Sequence, residues 1–417
     1  MKSLSKAKIN FHYGYIIVLC CCLIMGIDVG LVMSCAGIFY QSVSQELNVP
    51  VGEFGIYMSF NFLASSLMLS VAGKMIEKWN ARYLLAANSA ILGLCLFAMG
   101  SFDAVWQFYV AGCIIGITLA FLLYLSFPTM INRWFKTRVG FFIGICSAAS
   151  GIGGIIFNPI GAAWITELGW RTTYCIFGAI VLFGVSPILA LFLRNYPHEK
   201  NLMPFGTDLA NTTTLANGDS EGIEYSEALK MPVFYALIVF AFLMMAVSTL
   251  NLFIPNYMTD LTFTLEEASF VASAVMVGVT VGKIVLGMIN DRNTVVGVLV
   301  TVLGGISGLA LLVWAHINVF LIILGGFLFG WSYAGVTVQT AMLVKAVFGN
   351  RNYARIYSNV SIALAAGGAI TAGGWGLLAD ATSFKTIFII GAAALIVCGI
   401  IGVYALDNKF KPAVVGA

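Results

Sequence analysis

The sequence predicts an all-α membrane protein with twelve transmembrane helices in two pseudo-symmetric six-helix bundles. Three observations lead to this fold class. Hydrophobic residues make up 60% of the 417-residue chain and charged residues only 9%, whereas a soluble protein carries about a quarter charged residues. Apolar runs of at least ~17–25 residues, long enough to cross a bilayer as helices, recur along the chain. The first six runs also resemble the last six in order and in the motifs at their ends.

Twelve apolar runs, numbered helices 1 to 12, are predicted to span the bilayer. They are helices and not barrel strands, because the strands of a membrane barrel are about ten residues long with alternating polarity. The predicted spans are residues 15–41, 53–76, 82–101, 104–131, 138–165, 172–194, 232–259, 267–290, 294–315, 317–345, 353–380 and 384–406.

The basic residues predict the orientation of these helices. With the N-terminus inside, every lysine and arginine falls on the inner side except Arg171, Lys385 and Lys283. Positively charged loops remain in the cytoplasm. We therefore expect a multi-pass protein of the cell (inner) membrane with both termini cytoplasmic. The net charge of +3 then follows from topology and does not indicate nucleic-acid binding.

One long polar segment divides the chain. It is rich in Asn, Thr, Asp and Gly, which is the composition of a linker. We predict a cytoplasmic linker at residues 195–231 between an N-terminal bundle, 1–194, and a C-terminal bundle, 232–417.

The two bundles resemble each other at a constant spacing. Gly73 corresponds to Gly287 and Gly153 to Gly367, so the offset is 214 in both pairs. The same offset relates Glu77-Lys78 to Asp291-Arg292 and Trp170-Arg171-Thr172 to Phe384-Lys385-Thr386. These matches predict an internal duplication. Parallel six-helix repeats are an architecture of secondary transporters, whose substrate site lies between the repeats near the bilayer midplane.

Twelve helices, a 6+6 repeat and Gly-x-x-x-acid-base turns after helices 2 and 8 resemble the major facilitator superfamily over essentially the whole chain. The segment NRWFKTRVGFFIGICSAASGIGG, from Asn132, resembles the helix 4–5 signature of oxalate/formate exchangers and monocarboxylate porters. GNRNYARIYSNVS, which opens helix 11, resembles the same exchangers. The resemblance implies the major facilitator fold and transport of a small organic anion by alternating access.

The resemblance also implies individual site residues. Lys283 stands where those families carry a helix 8 arginine, and Tyr124 and Tyr333 stand where the exchangers have binding-site tyrosines. Two positions depart from the pattern. Val360 replaces the helix 11 lysine of the exchangers, and Val279 an aspartate often found in the porters. One intramembrane cation therefore remains, which favours a monoanion over a dianion such as oxalate.

Lys283 is the first candidate site residue. A lysine in the middle of the membrane costs ~2.5–3.5 kcal/mol on insertion scales, so it should face a cavity or a partner. We predict that Lys283 binds the substrate carboxylate, and it could also release a proton once the anion leaves. The alternatives are a side chain that snorkels to the inner face, roughly 10 Å away, and a structural ion pair.

Asp28 is the only acid deep within the predicted membrane region. A carboxyl there could cycle between protonated and ionised forms as access alternates, so Asp28 is the predicted proton-coupling residue. The alternative is a protonated Asp28 that hydrogen-bonds a neighbouring helix.

Further polar side chains at mid-helix depth are candidates for hydrogen bonds to the substrate. Each could equally bond another helix. With the two tyrosines, the predicted substrate-binding set beside Lys283 is Asn61, Asn251, Gln339, Asn359, Tyr124 and Tyr333.

Charges at the inner ends of the helices are predicted gate residues, because they could tie the halves together when the inner side is shut. The alternative is that they only set orientation. The predicted gating set is Glu77, Lys78, Arg82, Arg133, Arg138, Asp291 and Arg292.

The sequence therefore predicts a secondary active transporter, not an enzyme, that moves a small organic monocarboxylate with proton symport. The alternatives are an anion exchanger of the oxalate/formate type and proton-driven efflux of a drug-like or amphipathic compound. A membrane enzyme or signalling protein would need a catalytic constellation or a folded extramembrane domain, and the longest polar stretch is a linker. No cofactor or metal is expected. The expected partners are the anion, protons and the lipid bilayer, with the protein acting as a monomer.

Overall fold

Membrane-length helices make up almost the whole structure. The computed structural model describes residues 12–207, 222–314, 318–349 and 352–409, apart from the side chains of Ser70, Glu77, Gly140 and Ala354. Within this part of the chain there is no β-strand, and the helices follow one another in the predicted order. This confirms the all-α membrane fold class.

The N-terminal half contains six membrane-crossing segments. Their bounds are Gly14–Leu23 continued by Ile24–Ser34 and Gly37–Leu47 for helix 1, Val51–Lys78 for helix 2, Ala81–Met99 for helix 3, Val105–Leu119 continued by Ala120–Leu125 and Ser126–Trp134 for helix 4, and Val139–Ala179 continued by Ile180–Val185 and Ser186–Phe192 for helices 5 and 6.

The C-terminal half repeats this order. The bounds are Pro232–Thr249 continued by Leu250–Phe253 and Ile254–Asp260 for helix 7, Leu265–Arg292 for helix 8, Thr294–Trp314 for helix 9, Val319–Gly335 and Val338–Phe348 for helix 10, Tyr353–Ala381 for helix 11, and Phe384–Asp407 for helix 12.

Two boundaries differ from those predicted. Helix 1 continues to Leu47 instead of ending at residue 41, because the polar segment Gly37–Leu47 still places Ile38, Phe39 and Val43 in the core. Helices 5 and 6 are separated only by a break at Gly169, whose φ of +83° is a left-handed conformation that favours glycine. The loop predicted at 166–171 is reduced to this break.

Two helices that face the middle of the molecule contain π-helical stretches. Ile24–Ser34 of helix 1 carries Asp28, and Ala120–Leu125 of helix 4 carries Tyr124. Such stretches loosen the regular hydrogen-bond pattern of a helix and are frequent at functional sites. Two of the predicted site residues therefore lie on locally irregular backbone.

Helix packing repeats with the same spacing as the sequence motifs. Helices 2 and 4 cross at Gly116, where an added Cβ would lie 2.3 Å from the carbonyl oxygen of Asn61. Helices 8 and 10 cross at Gly330, where it would lie 2.2 Å from the carbonyl oxygen of Val275. Both residues of the second pair lie 214 positions after those of the first. Glycine is required at each crossing because the two backbones touch.

The two halves meet closely on one side of the membrane. We call the side with the turns after helices 2 and 8 the basic face, and the other side the opposite face. On the opposite face, the amide of Gly52 in helix 2 donates to Asp380 Oδ2 in helix 11 at 2.8 Å. Two turns further in, the amide of Gly373 donates to Ser59 Oγ at 2.8 Å. A Cβ on Gly52 would lie 2.3 Å from the carbonyl carbon of Gly376.

The basic face differs in its packing. Apart from the glycine's own helix turn, no described residue has an atom within 4 Å of the position that a Cβ would occupy at Gly73 or at Gly287, the glycines of the two repeated turns. The turn after helix 2 and the turn after helix 8 therefore both have open space beside their glycine, while helices 2 and 11 are in backbone contact on the opposite face.

An ion-pair cluster joins three segments of the N-terminal half on the opposite face. Arg171 donates to Glu46 Oε1 at 2.8 Å, to Asp103 Oδ1 at 2.7 Å and to the carbonyl oxygen of Phe102 at 2.8 Å. The indole of Trp170 donates to Glu46 Oε2 at 2.5 Å. The cluster ties the outer ends of helices 1, 3 and 6 into one unit.

Acid is expected to weaken this cluster. The hydrogen bond from Arg171 holds the pKa of Glu46 below its ordinary value, with partial burial acting in the opposite direction. A carboxyl with a lowered folded-state pKa stabilises the fold above its unfolded pKa of about 4.3, and this stability is lost as pH falls through the folded value. The pair is solvent-exposed, so the shift in unfolding temperature should be only about 1–3 °C.

Thermal unfolding of the detergent-solubilised protein at neutral pH and near pH 3.5 measures this effect. We expect Glu46→Gln to lose less of its unfolding temperature on acidification than the parent does. Glu266→Gln, an exposed carboxyl at the start of helix 8, is the matched control. Equal acid sensitivity of all three proteins would contradict the prediction.

Candidate functional site

The predicted anion-binding lysine lies where the two halves meet. Lys283 in helix 8 is partly exposed, and its Nζ lies 3.3 Å from the hydroxyl and 3.4 Å from the carbonyl oxygen of Ser147 in helix 5. One turn away, a Cβ on Gly151 would lie 2.1 Å from Thr280 Oγ1, so the helices are in close contact there. In the described part of the chain the ammonium makes no salt bridge. Its partners are dipoles, which leave the positive charge uncompensated.

The two predicted tyrosines come from different halves and interact with each other. Helix 10 packs on helix 8 where a Cβ at Gly282 would touch Trp331 and Ala334, so Tyr333 belongs to the turn of helix 10 nearest Lys283. The hydroxyl of Tyr124, from helix 4 of the other half, interacts electrostatically with that of Tyr333. Tyr124 is 40% exposed, which leaves it open to a solute between the halves.

A small cavity lies between the halves beside Tyr333. It has room for only about one water molecule in this conformation. Its lining comes from helices 1, 2, 7 and 10 and consists of Met33, Met58, Phe62, Met245, Ser248, Thr249, Asn251, Leu252 and Tyr333. The structure thus brings Asn251 and Tyr333 together. It adds three methionines that sequence reasoning missed, because a methionine in an apolar run gives no polar signal.

The two predicted asparagines near the cavity differ in whether their side-chain amides already have hydrogen-bond partners. Asn251 is 5% exposed, and its Oδ1 has no hydrogen-bond partner in the protein. The Nδ2 of Asn61 lies 3.6 Å from the sulfur atoms of both Met33 and Met58, and its Oδ1 accepts from Ser65 at 3.4 Å. Asn251 therefore offers the cavity an acceptor, while Asn61 supports the methionines that line it.

Two other predicted amides lie away from the cavity lining. Gln339 is fully buried, and its Oε1 accepts from Asn290 of helix 8 at 2.9 Å. Asn359 donates to the hydroxyl of Tyr225 at 3.1 Å and to the carbonyl oxygen of Arg355 at 2.9 Å. Both amides use these hydrogen bonds to join elements of the C-terminal half or the linker. Their role in substrate binding stays a prediction.

Asp28 is enclosed within the N-terminal half. It is 0% exposed, and neither carboxylate oxygen has a hydrogen-bond partner in the protein. The hydroxyl of Ser89 in helix 3 faces it across a gap longer than a hydrogen bond. Asp28 is not among the lining residues of the cavity beside Tyr333. Lys283 instead bonds Ser147 of helix 5, and among the described residues the two predicted charges form no ion pair.

Two predicted gate arginines make contacts within the N-terminal half and the linker. Arg82 Nε donates to the carbonyl oxygen of Ala190 at 2.5 Å. Arg133 donates to Asn195 and to the carbonyl oxygen of Ile76 at 3.0 Å, and its guanidinium lies over the ring of Tyr196. These contacts fasten the end of helix 4 to helix 2 and to the start of the linker.

The remaining predicted gate residues lie at helix ends on the basic face. The Glu77 side chain lies outside the described residues. The side chains of the other four, which are Lys78, Arg138, Asp291 and Arg292, are exposed. Their gating role stays a prediction.

Comparison with known proteins agrees with this architecture. The family model described as Major Facilitator Superfamily matches residues 22–292 and 236–416. An uncharacterized MFS-type transporter of Escherichia coli, YhjX, is 24% identical over 340 residues, which cover 79% of this chain and 80% of YhjX. The mouse glucose-6-phosphate exchanger SLC37A2 is 24% identical over 265 residues, which cover 55% of this chain and 52% of the exchanger.

Among solved structures, a bacterial homologue of the human lysosomal transporter Spinster matches with a TM-score of 0.75 at 14% identity. The match covers 98% of this chain and 100% of that one. The fold is therefore shared along the full length, and the family match extends over both halves. The chain is a membrane transporter and not an enzyme, and it belongs to the Major Facilitator Superfamily.

Proposed function

We propose that the protein carries a small organic monocarboxylate across the cell membrane by alternating access, with Lys283 as the anion-binding group and a proton as the coupled ion. The observation that carries this proposal is the ammonium of Lys283 at the junction of helices 5 and 8, without a counter-ion among the described residues. An ionised side chain within a membrane helix is costly and usually faces a partner or a cavity. A visiting carboxylate would provide the missing partner.

The surroundings of Lys283 suit an anion with one charged end. Tyr333 lines the small cavity and belongs to the turn of helix 10 that packs on helix 8 at Gly282, next to Lys283 in the chain, so we place the rest of a bound anion on the cavity side of helix 8. Thioether and aromatic groups dominate the cavity wall, with the Asn251 oxygen as an acceptor for a substrate hydroxyl. Methionine side chains are unbranched and adaptable, so this wall can adjust to short apolar groups of different shape.

The contact that Lys283 makes also links binding to movement. Its hydrogen bonds to Ser147 cross from one half to the other. A carboxylate that binds the ammonium in place of Ser147 breaks the hydrogen bonds that Lys283 makes between helices 5 and 8. A ligand shifts a conformational equilibrium only through a difference in its affinity for the two states. The loss of this tie on binding supplies such a difference.

Anion exchange is the second candidate. A relative that matches about half of this chain is named a glucose-6-phosphate exchanger. That name supports an organic anion as cargo and also an exchange mechanism. An exchanger needs no titrating group, whereas electroneutral symport of a monocarboxylate needs one proton for each anion.

Proteoliposomes that contain the purified protein and an internal pH indicator test the proposal. Formate, lactate, pyruvate and oxalate are added outside in turn. We expect internal acidification with a monocarboxylate, above the rate in protein-free vesicles, and none with oxalate. Exchange of labelled for unlabelled carboxylate without a pH change would contradict the proton coupling. The absence of both signals with every monocarboxylate would contradict the proposed cargo.

A further inference from the structure

Buried polar atoms without partners occur in both halves, and one group of them lies inside the N-terminal half. Fourteen buried side-chain nitrogen and oxygen atoms in the described residues lack a hydrogen-bond partner. Six of these atoms belong to five residues of helices 1, 3 and 6, which are Asp28, Tyr40, Ser44, Ser89 and Tyr174. Buried polar groups in proteins are almost always hydrogen-bonded, to the protein or to ordered water. The clustering therefore marks a hydrated interior.

The deepest members of the cluster are Asp28 and Ser89. Both are 0% exposed, and the serine hydroxyl faces the carboxylate. Helices 1 and 3 run in the same direction, toward the opposite face. Val32 follows Asp28 by one helical turn, and Leu96 follows Ser89 by two turns. Val32 and Leu96 therefore lie nearer to the opposite face than Asp28 and Ser89 do.

A second small cavity begins at Val32 and Leu96. It is lined by Leu31, Val32, Ala36, Phe39, Tyr57, Leu96, Met99, Ile115 and Tyr174, and it has room for about one water molecule. The hydroxyl of Tyr57 faces those of both Tyr40 and Tyr174. Three tyrosine hydroxyls from three helices thus converge at the cavity, and the thiol of Cys95 in helix 3 is the further titratable group near Tyr174.

The tyrosine group connects to the surface at the opposite face. The ring of Tyr174 lies 6.1 Å from that of Trp170, whose indole bonds Glu46 in the exposed ion-pair cluster. Ser44 lies on helix 1 between Tyr40 and Glu46, with an unpartnered hydroxyl. Polar side chains therefore continue from the surface to Tyr40, and about three turns of helix 1 separate Tyr40 from Asp28.

The duplication of the chain provides an internal comparison. At the offset of 214, the C-terminal counterparts of Tyr57 and Tyr174 are Val271 and Phe388, which are also buried. The C-terminal half reaches the same helix packing with apolar side chains at these positions. The polar groups are therefore not required by the fold, which favours a role that only the N-terminal half performs.

We propose that these groups form a proton-uptake path from the opposite face through the interior of the N-terminal half to Asp28, separate from the cavity between the halves. Along the path, each tyrosine oxygen accepts a proton and releases its own to the next group, and water carries the proton over the roughly three helical turns between the tyrosines and Asp28. The last proton binds an oxygen of the Asp28 carboxylate, so one proton enters and one is held. The existence of the path does not depend on the proposed transport function. Only the use of the bound proton, as the ion coupled to transport, rests on it.

Infrared difference spectroscopy on right-side-out proteoliposomes tests the path without any transported solute. An external acid step should produce the carbonyl band of a protonated carboxylic acid, and Asp28→Asn should lack it. Tyr57→Phe and Tyr174→Phe should slow its appearance about tenfold or more, because each removes a hydroxyl from the relay. Tyr257→Phe is the matched control, since this buried tyrosine of helix 7 donates instead to the carbonyl oxygen of Leu312 at 3.2 Å.

Three outcomes would overturn the proposal. They are the absence of the band in the parent, its persistence in Asp28→Asn, and rates in the Tyr57 and Tyr174 variants equal to that of Tyr257→Phe. An acid step applied inside the vesicles should give a slower band than the external step, and the reverse order would also contradict the path. If no carboxylate is transported but the band behaves as expected, the proposed cargo fails and the path stands.

Discussion

Gly376→Ala is expected to slow transport strongly by preventing closure of the opposite face. A Cβ on Gly376 would lie 2.5 Å from the Cα of Gly52 and 3.0 Å from Cε1 of Phe253. The nearest atom belongs to the backbone of the other half, so helices 2 and 11 must move apart. Overpacking of this kind costs about 1–3 kcal/mol. A cost of that size lowers the population of the closed state by a factor of about 5–150.

The same helix contains a matched control. Gly374 lies two residues away, is exposed, and has no atom within 4 Å of the position of an added Cβ. Gly374→Ala should therefore transport at the parent rate. Hydrogen exchange in residues 50–60 provides a direct readout, because the amide of Gly52 is hydrogen-bonded to Asp380 only while the face is closed. Parent-like transport and protection in Gly376→Ala would show that helices 2 and 11 do not form the closing surface.

Lys283→Met is expected to remove anion binding while it preserves the packing of helix 8. Methionine is unbranched and apolar, so it fills a similar volume without the charge. Loss of one member of a buried charged pair costs about 2–5 kcal/mol in binding, or roughly 30-fold to several thousand-fold in affinity. Lys283→Arg keeps the charge and should retain part of the activity, although its planar head group does not have the geometry of an ammonium.

Two further variants separate the charge of Lys283 from its surroundings. Lys345→Met removes an exposed lysine of helix 10 near the basic face and should leave affinity unchanged. Ser147→Ala removes the hydroxyl that now bonds Lys283 but not the cation, so affinity should stay within about tenfold of the parent. Both are measured as initial rates against carboxylate concentration in proteoliposomes. Parent-like affinity in Lys283→Met would exclude Lys283 as the anion-binding group.

The fold class can be predicted from the sequence because it depends on chain properties that the bilayer constrains directly. The twelve apolar runs were recognisable because each helix must satisfy its own backbone hydrogen bonds in lipid and must span a fixed thickness. The duplication was visible because Gly73 and Gly287, with their charged neighbours, repeat at one spacing. The end of helix 1 was misplaced because Gly37–Leu47 is polar enough to be taken for a loop, although one of its sides is buried.

The site was only partly accessible from the sequence. Lys283 and Asp28 were found because a charge in an apolar run is conspicuous. Gln339 and Asn359 were equally conspicuous, yet the structure places them in hydrogen bonds to Asn290 and to Tyr225. Depth along a helix can be counted in residues. The partner of a side chain depends on which neighbouring helix it meets, and residue counts along one helix do not provide that.

Composition, apolar runs and the internal repeat are enough to recognise a membrane transporter of two six-helix halves, with Lys283 and Asp28 as isolated charges in apolar runs. The packing of the helices adds that these two charges form no ion pair among the described residues, since Lys283 bonds Ser147 at the junction of the halves while Asp28 is buried inside one of them. Hydropathy and charge can be interpreted helix by helix, because every helix meets the same bilayer and the same water on each side of it. Contacts depend on how each helix is rotated and which helix packs against it, and these are set by the joint packing of the whole bundle.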